Sequence, residues 1–163
     1  MKAKGEHIMA TKLTKQDLQK LGVTDVHRDG TVYVHGTKKS PYPITTKHAY
    51  GENRTYLAVS LQDYTEKVPI THHYKRKDGT VHDHKTWAYR VRTVPLARLV
   101  LAWFRGEIPG DMDADHIDGD PMNNHIKNLQ MISRRENLAK RSLSWSEISR
   151  LYWAKKKEAD KDD

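Results

Sequence analysis

The chain has 163 residues and carries 29 Lys and Arg against 21 Asp and Glu, which gives a formal net charge of +8 at pH 7. This surplus indicates a polyanionic partner. The mean hydropathy is -0.88, and no apolar run approaches the ~18 residues of a membrane span, so no membrane-crossing segment is predicted. The absence of cysteine excludes a disulfide scaffold, a thiol nucleophile and a cysteine zinc site.

The first ten residues are charged and lack the apolar core of an export signal, so we expect an intracellular protein. Both Met1 and Met9 remain candidates for the native start. The positive surplus lies in residues 1–93, which hold 17 basic against 9 acidic side chains, whereas residues 94–141 and 142–163 are each balanced. The first part is therefore expected to make most of the contacts with a polyanion.

This first part is predicted to be mainly antiparallel β-structure. Residues 14–20 have the pattern of a short helix that ends near Gly22. Two Asp-Gly pairs, at 29–30 and 78–79, predict hairpins, and residues 56–61 and 87–92 have the pattern of strands.

Helical spacing follows in residues 96–104, with Pro95 at the start and Gly106 after the end, and this helix is predicted to pack in the core. Ser144 and Glu147 form a capping-box pattern that predicts a last helix. We divide the chain into a basic, mainly β region at 1–93, a core at 94–141, and a C-terminal helix with a frayed tail at 142–163.

The segment 113–141 has the pattern of a chemical site. Asp115 and His116 lie in a short predicted strand, a turn follows at 118–121, and residues 129–132 form a second strand. Ser133 and Glu136 then predict a capped helix. The predicted order is strand, loop, strand, helix.

This order resembles the HNH nucleases of the ββα-metal type, and among them the phage and intron homing endonucleases with Asn at the third signature position. The resemblance rests on Asp115-His116, Asn128-Leu129 and Glu136-Asn137, with the Asn123-Asn124 pair in the loop. It covers roughly residues 94–141. It implies a ββα-metal core and a protein that acts in a bacterial or phage-infected cell. Together with the strands and the last helix predicted above, the expected fold is α+β, with an antiparallel β N-terminal part, a ββα-metal core and a C-terminal helix.

The resemblance implies roles for four side chains in phosphodiester hydrolysis. His116 would be the general base, because a neutral imidazole titrates near working pH. Asp115 and Asn137 would bind one divalent cation, and their oxygen donors favour Mg²⁺ or Mn²⁺. Asn128 would fix the loop so that the His116 ring is held in place. His125 is either a phosphate contact or an exposed loop residue.

Adjacent side chains of a strand point to opposite faces. We therefore expect a distorted or bulged strand where Asp115 and His116 approach one phosphate.

Basic residues predict the DNA contacts. A two-stranded ribbon fits the major groove of DNA, where Arg and Lys reach guanine edges or phosphates. The candidates around the second hairpin are Lys75, Arg76, Lys77, Lys85, Arg90 and Arg92, and aromatic residues are interleaved with them. Those that follow the second predicted strand of the core are Arg134, Arg135, Lys140 and Arg141.

The resemblance and these features together imply a homing-type, divalent-metal-dependent endonuclease of double-stranded DNA that leaves 5′-phosphate and 3′-hydroxyl ends. One active site cuts one strand, so a monomer, which we favour, would nick. Two alternatives stay open. One is a DNA-binding protein in which the motif is only a fold element, and the other is an RNA-binding or RNA-cleaving protein, which the interleaved aromatic residues favour.

Overall fold

The computed structural model describes residues 11–47, 53–140, 150 and 153–154. The architecture is α+β with antiparallel sheets, as predicted. The α-helices within residues 11–47 and 53–140 are α1 (Lys15–Lys20), α2 (Leu96–Arg105) and α3 (Arg134–Lys140). The strands are β1 (Leu13–Thr14), β2 (Val23–Val26), β3 (Val32–Val34), β4 (Thr37–Lys39), β5 (Tyr42–Lys47), β6 (Asn53–Lys75), β7 (Val81–Pro95), β8 (Glu107–Ile108), β9 (Met112–His116) and β10 (Leu129–Ser133).

The first predicted helix is confirmed as α1, and a capping box explains where it begins. The Thr14 hydroxyl accepts a hydrogen bond from the Asp17 backbone N–H at 3.1 Å, and the Asp17 carboxylate accepts one from the Thr14 N–H at 3.0 Å. The helix ends at Leu21, where Gly22 adopts a φ of 86°. Strand β1 pairs with β8, so this N-terminal segment is tied to the second half of the chain.

The first Asp-Gly hairpin is confirmed between β2 and β3. The His27 N–H donates to the Thr31 carbonyl at 2.8 Å, and Gly30, with a φ of 91°, donates to the His27 carbonyl at 3.0 Å. Only glycine adopts such a φ at low cost, which is why the Asp-Gly pair marks the turn. Strand β4 completes a three-stranded sheet in the order β2-β3-β4.

The second hairpin is also confirmed, but its strands are much longer than predicted. Strands β6 and β7 pair from Ala58 and Pro95 up to Lys75 and Val81, with one shift in register between Asp63 and Lys67. Beyond this shift, residues 67–89 form a two-stranded arm, here called the ribbon, which is about 27 Å long at the usual rise of a strand. Charged residues interrupt the apolar alternation of the ribbon, so the pattern predicted only the parts nearest the core.

Helix α2 is buried, as predicted, and forms the centre of the core. It follows Pro95 directly, and Gly106 with a φ of 89° ends it. Its residues pack with Leu18, Val32 and Leu61 from the first part of the chain and with Leu129 from the second. The core thus draws on both sides of the proposed boundary at 93–94, and the division into three regions stays a prediction.

Near the C-terminus, Arg150, Trp153 and Ala154 are helical, whereas Arg141 and the predicted cap of the last helix at Ser144 and Glu147 lie outside the described residues. In the described part of the chain, no helix has both the length and the apolar character required to cross a membrane.

Candidate active site

Strands β9 and β10 and helix α3 form the predicted strand, loop, strand and helix. The strands pair antiparallel from His116 and Leu129 to Met112 and Ser133. Helix α3 begins with the predicted capping box, because the Ser133 hydroxyl accepts from the Glu136 N–H at 3.2 Å and the Glu136 carboxylate accepts from the Ser133 N–H at 2.8 Å.

The bulge that we expected in β9 is not present in the described residues. The register between β9 and β10 is continuous, so Asp115 and His116 follow each other in a regular strand. His116 is instead the last residue of β9, and its carbonyl accepts the Gly119 N–H at 3.0 Å in the turn that follows. Both residues line one groove without a register shift.

This groove has a volume of about 640 Å³ and lies between β9, the loop after it, helices α2 and α3, and the start of β6. Asp115, His116 and Asn137, which sequence reasoning selected from distant positions, all line it. The groove also contains Asp113 and the cationic side chains of Arg54, Arg98 and Arg134. Negative and positive groups therefore face the same space, which suits a cation beside a phosphate backbone.

His116 is oriented by Asn124, a residue to which sequence reasoning assigned no role. The His116 Nε2 lies 3.1 Å from Asn124 Oδ1, and Asn124 Nδ2 donates to the carbonyls of Pro121 and Met122 at 3.3 and 3.1 Å. Because an amide oxygen only accepts, Nε2 must carry the hydrogen. In the neutral ring, Nδ1 then carries the lone pair that can accept a proton. Asn124 is 4% exposed, so the acceptor of this contact is buried, whereas His116 is half-buried.

Asn128 fixes the loop through three hydrogen bonds. Its Nδ2 donates to Asp118 Oδ1 at 2.9 Å and to the Asn123 carbonyl at 2.8 Å, and its Oδ1 accepts the Asp118 N–H at 3.1 Å. Burial alone would raise the pKa of Asp118. The hydrogen bonds from the Asp120 N–H and from the Asn123 and Asn128 amides outweigh burial and hold the pKa below its ordinary value.

The first hairpin supports this loop from outside. The Ile126 N–H donates to the Arg28 carbonyl at 2.8 Å. Gly30 packs so closely that an added Cβ would lie 3.2 Å from both Cβ and the carbonyl O of Asn124. The turn between β2 and β3 therefore holds the residue that orients His116, a contact that no sequence pattern indicated.

Asp115 is bound by two neighbouring side chains. Its Oδ2 accepts from Gln130 Nε2 at 2.6 Å, and Lys140 Nζ lies 3.0 and 2.8 Å from its two oxygens. The same ammonium donates to the His116 carbonyl at 2.6 Å. Lys140 was predicted as a phosphate contact, and the structure places its ammonium against Asp115 inside the groove.

Asn137 lies in the groove but contacts Asp113 rather than Asp115. Its Nδ2 donates to Asp113 Oδ2 at 2.8 Å. Sequence reasoning missed Asp113, although strand periodicity was an available signal, because residues two apart on a strand share a face. Nearby, Arg98 donates to the carbonyls of Met112 and Thr11 at 2.9 and 2.8 Å, and burial lowers the pKa of its guanidinium while Asp113 opposes this.

The donor chemistry of the groove fits a hard divalent cation. Asp113, Asp115, the Asn137 amide and the His116 carbonyl all offer oxygen, the donor that Mg²⁺ and Mn²⁺ prefer. The Lys140 ammonium lies among three of these oxygens, the two of the Asp115 carboxylate and the His116 carbonyl, so a cation already occupies this position. In the described ranges, no group of three or more His, Asp or Glu side chains is gathered as a metal cluster.

The predicted DNA contacts differ in their surroundings. Lys75, Arg76, Lys77 and Lys85 are exposed on the ribbon, and Arg134 and Arg135 are exposed on α3. At the base of the ribbon, Arg90 pairs with Glu66 at 2.9 Å and Arg92 with Asp63 at 2.9 Å. Hydrogen bonds from the Thr65 hydroxyl and from Arg92 hold the pKa of Asp63 below its usual value, against the effect of burial.

His125 caps a 3₁₀ turn at Ile126–Asn128, where its Nδ1 accepts the Lys127 N–H at 3.1 Å.

Comparison with known proteins agrees with this geometry. Residues 95–139 match the HNH endonuclease family. The matching segment begins just before α2 and ends within α3, so it contains β9, the loop and β10.

One relative of this chain is YosQ of Bacillus subtilis (strain 168). It is an SPbeta prophage-derived protein that is named as an inferred HNH homing endonuclease. The two chains are 39% identical over 72 residues, which is 44% of this chain and 39% of the relative. The chain thus matches well under half of the length of this curated relative. No solved structure matches the chain significantly.

Proposed function

We propose that the protein is a divalent-metal-dependent endonuclease that hydrolyses a phosphodiester of double-stranded DNA to 5′-phosphate and 3′-hydroxyl ends. The observation that carries this proposal is the convergence of Asp115, His116 and Asn137 on one groove within the segment that matches the HNH family. A prophage-derived relative named for homing endonuclease activity supports the same class and an action inside bacterial or phage-infected cells.

His116 is assigned as the general base. With Nε2 donating to Asn124, its Nδ1 can take a proton from a water molecule that attacks phosphorus. Asn128 acts as a positioning residue, because it holds the loop that carries Asn124. Such a base typically contributes about 10²–10⁴ in rate.

Asp115 and Asn137 are assigned as the residues that hold the cation, with Asp113 and the His116 carbonyl as further oxygen donors in reach of the groove. A bound Mg²⁺ or Mn²⁺ would supply Lewis-acid stabilisation of the charge on the leaving 3′-oxygen. These side chains of the protein would fix the place of the cation. Arg54 and Arg134 line the same groove and would contact the phosphate backbone.

DNA is assigned to the groove and the ribbon together. The ribbon presents exposed cations and the exposed aromatic side chains of Tyr74 and Trp87, and a two-stranded ribbon fits the major groove. Arg134 and Arg135 would contact the backbone next to the cleavage site, and Arg141, Arg90, Arg92 and His125 remain candidates of the same kind. One groove in a monomer would nick one strand.

Incubation of supercoiled plasmid with the protein and Mg²⁺ or Mn²⁺ tests this function, with EDTA as the metal control. We expect conversion to the open circular form, and sealing of the nick by DNA ligase would identify 5′-phosphate and 3′-hydroxyl ends. His116→Ala should lower the rate by at least 10² while DNA affinity is retained. His27→Ala is the matched control, because His27 is exposed and pairs with Asp25 outside the groove.

Retention of near wild-type nicking by His116→Ala would refute the assignment of the base. DNA binding without metal-dependent nicking by the wild type would instead favour a non-catalytic DNA-binding protein.

A second candidate substrate is RNA, which the exposed aromatic side chains of Tyr74 and Trp87 among cations favour, because unpaired bases stack on such rings. Competition of structured RNA against duplex DNA at a fixed salt concentration separates the two. Preferential binding and cleavage of the RNA would replace DNA as the substrate.

A further inference from the structure

The Lys140 ammonium makes the contacts that a metal cation would make in the groove. Its Nζ has three oxygen atoms within 3.0 Å, two from the Asp115 carboxylate and one from the His116 carbonyl. The side chains are largely buried, with exposed fractions of 18% for Lys140 and 10% for Asp115. A carboxylate and a carbonyl oxygen are also the donors that Mg²⁺ and Mn²⁺ prefer.

The two cations exclude each other at this position. Asp115 supplies one negative charge, and Gln130 already donates to its Oδ2 at 2.6 Å. An ammonium and a divalent ion on the same oxygens would repel strongly, since charges a few ångströms apart interact strongly away from bulk water. Lys140 must therefore leave Asp115 before a metal ion can bind there.

We propose that Lys140 is an internal competitor of the metal ion, so that the equilibrium of its ion pair with Asp115 sets the metal affinity of the site. This inference rests on the proposed function, because it concerns the metal position of the same groove. Lys140 lies three residues after Asn137 on α3, which places both on one face of the helix. Lys140 thereby controls occupancy of the site without being a ligand.

A purely structural role for Lys140 predicts the opposite effect on metal affinity. If its ion pair only holds α3 against β9, its loss would displace Asn137 and weaken metal binding. If Lys140 competes with the metal, removal of its charge strengthens binding. The sign of the change therefore separates the two roles.

The experiment is a titration of the DNA-free protein with Mn²⁺, in which the EPR signal of the free ion reports the bound fraction. We expect Lys140→Met to bind Mn²⁺ about tenfold more tightly than the wild type, which corresponds to about 1.4 kcal/mol. Lys140→Arg keeps the charge and should show no gain. Lys127→Met is the matched control, because Lys127 is an exposed lysine of the same segment outside the groove.

Asp115→Asn should bind Mn²⁺ more weakly than the wild type, which assigns the signal to this site. Circular dichroism in EDTA checks that Lys140→Met is folded, and Lys140→Gln provides a second neutral variant. Equal or weaker Mn²⁺ binding by the folded neutral variant would overturn the inference. If the wild type still nicks plasmid with Mn²⁺ in that case, the proposed endonuclease function stands and only the role of Lys140 is refuted. If the wild type neither binds Mn²⁺ nor nicks plasmid, both the role of Lys140 and the proposed function are refuted.

Discussion

Two polar connections join paired strands: the loop between β9 and β10 and the tip of the ribbon. They differ in whether their polar groups are bonded within the protein or exposed to solvent. In the loop, Asn124 and Asn128 are 4% and 6% exposed and their amides bond within the loop and to His116. On the ribbon, Tyr74 and Trp87 are 56% and 67% exposed, and the neighbouring cations lie on the surface.

The loop finds its polar partners within the protein, whereas the ribbon offers its polar groups to a partner from outside. The polar groups of the loop are satisfied inside the protein, which fixes their geometry before a substrate arrives, as catalysis requires. Those of the ribbon face solvent, where a nucleic acid can meet them. Substitutions in the loop should therefore change stability and rate, whereas those in the ribbon should change affinity and its dependence on salt.

The largest effect on stability is expected from Asn128→Ala. This change leaves the Asp118 N–H and the Asn123 carbonyl without their partner in a site where Asn128 is 6% exposed. Buried groups that lose a partner cost ~1–3 kcal/mol each, so we expect about 3 kcal/mol less free energy of unfolding. Urea denaturation followed by circular dichroism measures this.

Asn123→Ala in the same loop is the control for that prediction. The Asn123 side chain is exposed and donates to Asp118 Oδ2 at 2.8 Å. Its loss should cost about 1 kcal/mol or less, because water can replace the bond. Equal effects of the two substitutions would mean that the loop is not held by Asn128.

Asn124→Ala should lower the cleavage rate about 10- to 100-fold, the usual cost of losing a group that orients a catalytic or metal-bound side chain. The His116 ring would lose the acceptor at Nε2 that sets its tautomer. DNA affinity should stay within twofold, and kcat should fall while KM for DNA stays close to that of the wild type, because the contact positions the ring that takes the proton. An unchanged kcat, or a loss of activity caused only by weaker DNA binding, would argue against this role.

Sequence reasoning predicted the elements of the site better than its contacts. The order of strands and helix, the capping box at Ser133 and both Asp-Gly hairpins follow from local patterns, which the backbone obeys because turns and caps are local chemistry. The contacts of Lys140 with Asp115 and of Gly30 with Asn124 join positions far apart in the chain. Residue spacing along the chain cannot predict such long-range contacts unless the three-dimensional structure is known.

The ribbon should respond to loss of charge through affinity. Lys75→Ala combined with Lys77→Ala removes two exposed cations at its tip, and we expect about tenfold weaker DNA binding at low salt. The slope of log affinity against log salt should fall by about 2, one for each phosphate contact. The rate of nicking at saturating DNA should be unchanged, because the groove is not altered.

The control for the ribbon is Lys38→Ala combined with Lys39→Ala, which removes the same charge from exposed positions of β4. If both double variants weaken binding equally, only the net charge of the protein matters, and the ribbon has no special part in DNA contact.

The smallest effect concerns the pH dependence of stability and returns to the loop. Hydrogen bonds hold the pKa of Asp118 below its ordinary value despite burial, so the charged form is favoured in the folded state. A lowered folded pKa contributes stability above the unfolded pKa of ~3.9, and this stability is lost as the pH falls through the folded value. Asp118→Asn should therefore cost about 1 kcal/mol at pH 7, and the difference from the wild type should narrow below about pH 4. Unfolding free energies of both proteins, measured between pH 3 and 7 in steps of about 0.5 pH units, test whether the difference narrows. A difference that stays constant over that range would show that the Asp118 charge does not stabilise the loop. The geometry of the loop would then depend on the amides of Asn124 and Asn128 alone.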